Sequence, residues 1–155
     1  MGGVSLMQSS KTTQKLDHIE VVSFFVSDML CALECNQIQE ILHEEDVTFV
    51  HHAPEYVRGV INLRGQIVTI LELRAKLELP KTKNQKKSRI IVIKHKDEHI
   101  GLLVDRVQDI LVGNRENLEP PPSHLGDLHG KYVSNILKME KDLVAILNTD
   151  AILED

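Results

Sequence analysis

The feature of this 155-residue chain that most restricts what it can fold into is that it repeats itself. Moving Ile41 onto Ile110, a shift of 69 residues, lays Gln39-Glu40-Ile41-Leu42 on Gln108-Asp109-Ile110-Leu111 without a gap. The same shift carries Val21-Val22 onto Ile90-Ile91, Asp28 onto Asp97, Leu33 onto Leu102 and Ile38 onto Val107. A second shift, of 76 residues, lays Tyr56-Val57-Arg58-Gly59-Val60-Ile61 on Tyr132-Val133-Ser134-Asn135-Ile136-Leu137, and Val68-Thr69-Ile70-Leu71 on Val144-Ala145-Ile146-Leu147. The order is A, B, A′, B′. Short apolar runs punctuated by turn residues suggest barrels or sandwiches of strands, and two copies of such a run suggest two small barrels sharing a core or a groove. Closed barrels also remove the strand edges that short hairpins would leave exposed.

Composition agrees with a mainly β chain. Aromatic residues are 3% and Trp is absent, so Ile, Leu and Val must fill the core, and these suit packed sheets. Ile19 to Val26 and Met29 to Cys35 form a hairpin about Ser27-Asp28; Val60 to Leu63 and Gln66 to Leu73 form a second about Arg64-Gly65. Ile90 to Lys94 with Ile100 to Val104, and Tyr132 to Met139 with Leu143 to Leu147, repeat the pair. Ile38, Ile41 and Leu42, and likewise Val107, Ile110 and Leu111, recur at helix-like spacing and predict about two helical turns each. A short strand is expected around Val47 to Val50, one helical turn from Pro54 through Tyr56, a loop at Pro120-Pro121-Pro122 and a short helix at Ala151 to Glu154. Met1 to Lys15 is poor in apolar side chains and is expected to be a loose tail, with one domain over residues 16–155. Lys81 to Arg89 is basic and polar, as a solvated connector is.

Several function classes are disfavoured. A formal net charge of −5 gives no attractive field for phosphate backbones, so nucleic acid is not an expected partner. No apolar run approaches the length of a membrane span, and the N-terminus lacks the order of a signal peptide, so a cytoplasmic location without membrane insertion is expected. Cys31 and Cys35, four apart on a predicted strand, share a face there and are expected to be reduced and buried. Among eight histidines, His95 with His99 flanks a turn and His51-His52 is adjacent, and neither completes a tetrahedral set, so no metal or cofactor is expected. No phosphate loop, nucleophile elbow or metalloprotease helix is present, and catalysis is not expected.

The two copies part company at one hairpin tip. Arg64-Gly65 in the first faces Glu140-Lys141 in the second, although the flanking strands agree. An Arg at a tight turn can present its planar fork to a carboxylate or amide of a partner; the plain alternative is a solvated surface Arg. Gly59 and Asn135 occupy matching positions and are residue types that reach positive φ, which predicts a left-handed or bulged backbone at both.

The stretch Val57-Arg58-Gly59-Val60-Ile61-Asn62-Leu63-Arg64-Gly65-Gln66-Ile67-Val68-Thr69-Ile70-Leu71-Glu72-Leu73-Arg74 closely resembles the signature of the CheW family. Gly101-Leu102-Leu103-Val104-Asp105-Arg106-Val107 resembles its second hallmark, and the likeness runs from about Leu16 to Leu153. The resemblance implies two five-stranded SH3-like barrels. It also implies a non-catalytic adaptor that links the cytoplasmic tip of chemoreceptors to the regulatory domain of the histidine kinase CheA, recruited to membrane-associated arrays. Carried over by position, it implies receptor contacts at Ile38, Glu40, Gly59 and Arg64, and a kinase or ring contact at Ser123 and His124. Family members often have an acidic-aromatic pair at that loop and Gly where Asn135 stands; this chain departs at both. Because the chain ends at Asp155, no phosphate-receiving domain is expected. The alternatives are the same fold serving a pilus-motility or other kinase array, and a metal-dependent enzyme using the histidines.

Overall fold

The computed structural model describes residues 17–43, 47–82 and 87–154, so the expected tail over residues 1–15 lies outside the described residues. The first A and B units contribute β1 (His18–Val26), β2 (Met29–Glu34), β3 (Ile38–His43), β4 (Val57–Leu63), β5 (Gln66–Glu72) and a helical turn α1 (Leu73–Lys76). The second units contribute β6 (Arg89–His95), β7 (Glu98–Val104), β8 (Arg106–Asn114), β9 (Leu118–Glu119), β10 (His124–Leu125), β11 (Leu128–His129), β12 (Val133–Lys138), β13 (Leu143–Leu147) and α2 (Thr149–Leu153). These strands form one sheet of order β8-β1-β2-β13-β12-β9, a second of order β3-β6-β7-β5-β4 and a small ribbon β10-β11. The expected mainly β fold with two subunits of sheet is found.

The duplication is exact in register, and it is intertwined. The A hairpin β1-β2 sits in the first sheet, yet its next strand, β3, leaves to pair with β6 in the second; β8 makes the reciprocal move and pairs with β1. Val22 opposite Ile110 in one sheet is Ile91 opposite Ile41 in the other. The parallel pairings repeat too: Cys31 opposite Ala145 corresponds to Ile100 opposite Thr69. Asp105 anchors one crossing: its amide donates to the Phe25 carbonyl at 3.0 Å, while its carboxylate accepts from the Ser27 amide at 2.8 Å and the Thr82 hydroxyl at 3.0 Å.

Bulges are duplicated as well. Gln39 in β3 and Gln108 in β8 have no opposite residue, and neither do Arg58 in β4 and Ser134 in β12. This corrects the sequence reading of 36–42 and 105–111, where Ile38–His43 and Arg106–Asn114 are strands. A bulge puts two residues against one, so spacings of three return to the same face. Ile38 and Val107 pack on the core between the sheets, whereas Leu42 and Leu111, four residues on, pack inside their own sheets. That switch of face mimics helical spacing. The expected bulge is present beside Gly59 and Asn135; Gly59 has φ +151°, while Asn135 is not left-handed.

Other boundaries also differ. Cys35 falls in a 3-10 turn (Cys35–Gln37) after β2, so it does not share a strand face with Cys31. The strand expected at Val47 to Val50 is a single bridge, Thr48 to Val60, and Pro54 to Tyr56 is a turn closed by the Val57 amide on the Pro54 carbonyl. Leu73 begins α1 and does not extend β5.

Among the described residues the ladders do not close into hydrogen-bonded barrels; side chains and one bridge bring the sheet ends together. Gly113 of β8 packs on Leu137 of β12, and in the second sheet Glu40 of β3 reaches the β4–β5 turn. Each sheet therefore has its own interior, Val21, Ala32, Leu137, Val144 and Ile146 in one, Val68, Ile70, Ile90 and Val92 in the other. A third and larger cluster, including Phe24, Leu33, Ile91, Leu102 and Leu147, lies between the sheets. With most of both faces buried, the central strands β1, β6 and β13 read as near-continuous apolar runs.

Gly59 is required by geometry: a Cβ there would overlap the backbone carbonyl of Thr48. We expect Gly59→Ala to lower stability by about 2–4 kcal/mol, since backbone strain and overpacking add. Gly65→Ala has open space and a φ of +84°, so only the left-handed cost of about 1–2 kcal/mol applies. Urea unfolding of both variants tests this, and equal losses would refute the close-approach account.

Candidate protein-docking site

The tip that distinguishes the two copies is a two-residue turn with positive φ at both Arg64 (+50°) and Gly65 (+84°), the signs of a type I′ turn. Asn62 shapes it by accepting the Gly65 amide at 2.9 Å through its side-chain oxygen. In the second copy the strands stop at Lys138 and resume at Leu143, and neither Glu140 nor Lys141 has positive φ. The turn holds Arg64 outward, its side chain 74% exposed, and its guanidinium pairs with the Glu40 carboxylate. Within the chain the Arg64 fork therefore already holds a carboxylate, that of Glu40. An exposed ion pair contributes about 0–1 kcal/mol, so exchanging one carboxylate for another costs little.

The other candidates are distributed. Glu40 lies opposite Val92, whose side chain is interior to the second sheet, while Ile38 lies opposite Ile93 and packs on the core between the sheets. The bulge at Gln39 thus turns Ile38 and Glu40 to different faces. Gly59 is buried under Val47 and Thr48 and shapes the strand. Ser123 and His124 are exposed on the β10–β11 ribbon, where the Ser123 carbonyl accepts the Gly130 amide at 2.7 Å.

Beside the Arg64 turn runs a trough along β5 and β7. One cleft of about 540 Å³ is lined by Gln66, Ile67, Thr69, Leu71 and Ile100, with Asp97, Glu98 and His99 at the rim. A second of about 780 Å³ shares Leu71, Glu98 and Ile100 and continues past Tyr56 and Lys76 to Leu153 and Glu154 of α2. Apolar side chains such as Ile67, Leu71 and Ile100 interleaved with polar and charged ones suit a helix that itself carries both kinds of side chain. Lys76 stacks over the Tyr56 ring, 4.3 Å from its centroid. The helix α2 closes the far end. Its N-cap Asn148 accepts the Ala151 amide at 3.2 Å, Ile152 is buried, and Lys96 pairs with Glu154 at 2.9 Å. The hydrogen bond and charge of Glu154 raise the Lys96 ammonium above its usual range, and the same contacts lower the Glu154 carboxyl.

Sequence reasoning missed the exposed apolar residues. Ile67 (65% exposed) and Leu143 (49%) are equivalent under the second shift, and Ile41 (40%) and Ile110 (62%) under the first. Apolar residues in strand patterns look like core until the pairing decides their face, so the duplication itself carried no usable signal.

The thiols are separated by environment. Burial pushes Cys31 up to about 12; Cys35 is raised by partial burial first and then by the Glu20 charge. Among the described residues no group of three or more His, Cys, Asp and Glu is placed to hold a metal ion, and no helix is long and apolar enough to cross a membrane.

Comparison with known proteins gives a consistent picture. The family model described as "CheW-like domain" matches residues 20–155. The chain is 33% identical over 140 residues to the chemotaxis protein CheW of Thermotoga maritima, covering 90% of this chain and 91% of that one. It is 30% identical over 136 residues to the probable chemotaxis protein CheW of Rhizobium etli, covering 88% of each. The crystal structure of the scaffolding protein TtCheW from Thermoanaerobacter tengcongensis superposes with a TM-score of 0.82 at 26% identity, over 88% of this chain and 93% of that one.

Two outcomes are expected. Arg64→Gln and Glu40→Gln should each change unfolding free energy by less than about 1 kcal/mol, as measured by urea titration; a loss of several kcal/mol would make the pair structural. In the native protein at pH 8 a thiol reagent should modify Cys35 and leave Cys31 until unfolding. Equal rates at the two thiols would contradict the burial of Cys31.

Proposed function

Because the chain belongs to the CheW-like domain family, we propose that it is a non-catalytic adaptor coupling the cytoplasmic tips of chemoreceptors to the regulatory domain of the histidine kinase CheA. The observation that carries this reading is the exposed Arg64 on its two-residue turn beside a trough in which Ile67, Leu71 and Ile100 stand among polar and charged side chains. A receptor tip that is a helical hairpin would lay apolar side chains into the trough and offer a carboxylate to Arg64 in place of Glu40. Ile38 and Glu40 would border this contact, and Gly59 would act through the strand it shapes. The kinase would engage an apolar barrel end, and the exposed ribbon bearing Ser123 and His124 would supply a second contact. The protein would work in the cytoplasm at membrane-associated receptor arrays, with no cofactor.

The mechanism is linkage. Binding receptor and kinase on separate surfaces raises their effective concentration toward each other, and a receptor state that favours one kinase state biases it through the shared scaffold. The core common to both sheets supports such transmission, since a displacement at one sheet is felt by side chains of the other.

Kinase activity measured with a receptor fragment, purified kinase and either wild-type protein or Arg64→Glu tests the reading. Wild-type protein should make the kinase receptor-dependent, and the variant should lose at least about tenfold in receptor affinity by reversing the charge, with an unchanged circular dichroism spectrum. Wild-type protein that binds neither partner would overturn the adaptor reading. Receptor and kinase pairs from flagellar and pilus systems form parallel arms, because the same surfaces would serve either.

A further inference from the structure

The β10–β11 ribbon places two imidazoles side by side on the outside of the molecule. His124 lies directly opposite His129, and Leu125 directly opposite Leu128. Alternation along a strand sends the two pairs to opposite faces. Leu128 is fully buried in the core between the sheets and Leu125 packs against that core, so the leucines fix the ribbon while both histidines stay exposed. The turn between them, Gly126-Asp127, has positive φ (+60°) at Gly126 only, the sign pattern of the two-residue II′ hairpin turn. The amide of Gly130, bonded to the Ser123 carbonyl at 2.7 Å, ties the open end.

The imidazole centroids are 4.8 Å apart with ring planes at 59°. Two rings bound to one ion at metal–nitrogen distances of about 2.0–2.1 Å, near a right or tetrahedral angle, have centroids about 5 Å apart. The spacing therefore already matches a chelating pair. We infer that His124 and His129 form a surface site for a divalent transition metal of the imidazole-seeking class, zinc or nickel, through the cross-strand pair. Water or a ligand from another molecule fills the remaining positions, since no third protein ligand stands with them among the described residues.

One contact changes on binding. His129 Nδ1 accepts the Lys131 amide at 3.0 Å, and so caps the 3-10 turn Gly130–Tyr132. Coordination through Nε2 of His129 moves the ring proton to Nδ1 and releases that amide to solvent. Metal binding is thus coupled to the loss of a cap on the segment leading into β12. The other candidate histidines are placed differently: His95 lies opposite Glu98 and beside Asp150, His99 lies opposite Lys94, and His51 packs edge-on against Phe49. The site stands independently of the adaptor reading, although it occupies the ribbon assigned there to a second contact.

The test uses the metal alone on the whole chain. Substoichiometric nickel should broaden the amide resonances of residues 123–132 before any others, and zinc should shift the Lys131 amide and convert His129 to the Nδ1–H tautomer. Zinc titration calorimetry should give at least about a tenfold loss of affinity for His124→Gln, with His95→Gln/His99→Gln unchanged. Broadening that begins elsewhere, or a folded His124→Gln protein that binds zinc as tightly as wild type, would overturn the site. The nickel mapping needs no variant and decides the matter if His124→Gln misfolds.

Discussion

The exchange of third strands between the two sheets is the constraint on which the rest of the molecule depends. Because β3 pairs with β6 and β8 with β1, neither A unit can complete a sheet alone. The parallel pairings of β13 with β2 and of β5 with β7 extend the exchange to the B units, so each sheet is assembled from one unit of each half of the chain. Such pairings are distant in sequence, and their loop-closure entropy must be met before contacts reward it. The reward is the core between the sheets, to which both sheets and α2 contribute.

The candidate site is a consequence of how the second sheet curls. Its outer strands are not hydrogen-bonded to one another through a ladder, and what spans them is the Thr48 bridge to Val60 and the Glu40–Arg64 pair. The first is a backbone bridge that demands a glycine at 59; the second is an exposed side-chain pair and exchangeable. One seam therefore has a rigid half and an adaptable half. In the second copy Lys138 pairs with Glu119 on neighbouring strands, and the tip carries no outward arginine. Duplication conserved the frame and left one tip free to acquire a surface role.

Where the sequence reading succeeded and failed has a common physical cause. Hairpins around Ser27-Asp28 and Arg64-Gly65 were legible because turn chemistry is local. The segments at Ile38 and Val107 were misread because a bulge at Gln39 and Gln108 shifts the face of every later residue, and a bulge exists only relative to a partner strand. Arg64 was identified as a surface feature, but its partner Glu40 is 24 residues away and on a strand whose face depends on that bulge. The ribbon that pairs His124 with His129 is only two residues long on each side, too short to leave a periodic signal.

By itself the sequence determined the duplication, the mainly β character, the hairpin tips and the family, since each is expressed in residue types at short range or in direct likeness between segments. Tertiary structure alone decided which sheet each strand enters, which face Ile41, Ile67, Ile110 and Leu143 present, and which charges and imidazoles meet. A side chain in a strand has two possible faces, and only the strand across from it, supplied here by the other half of the chain, chooses between them.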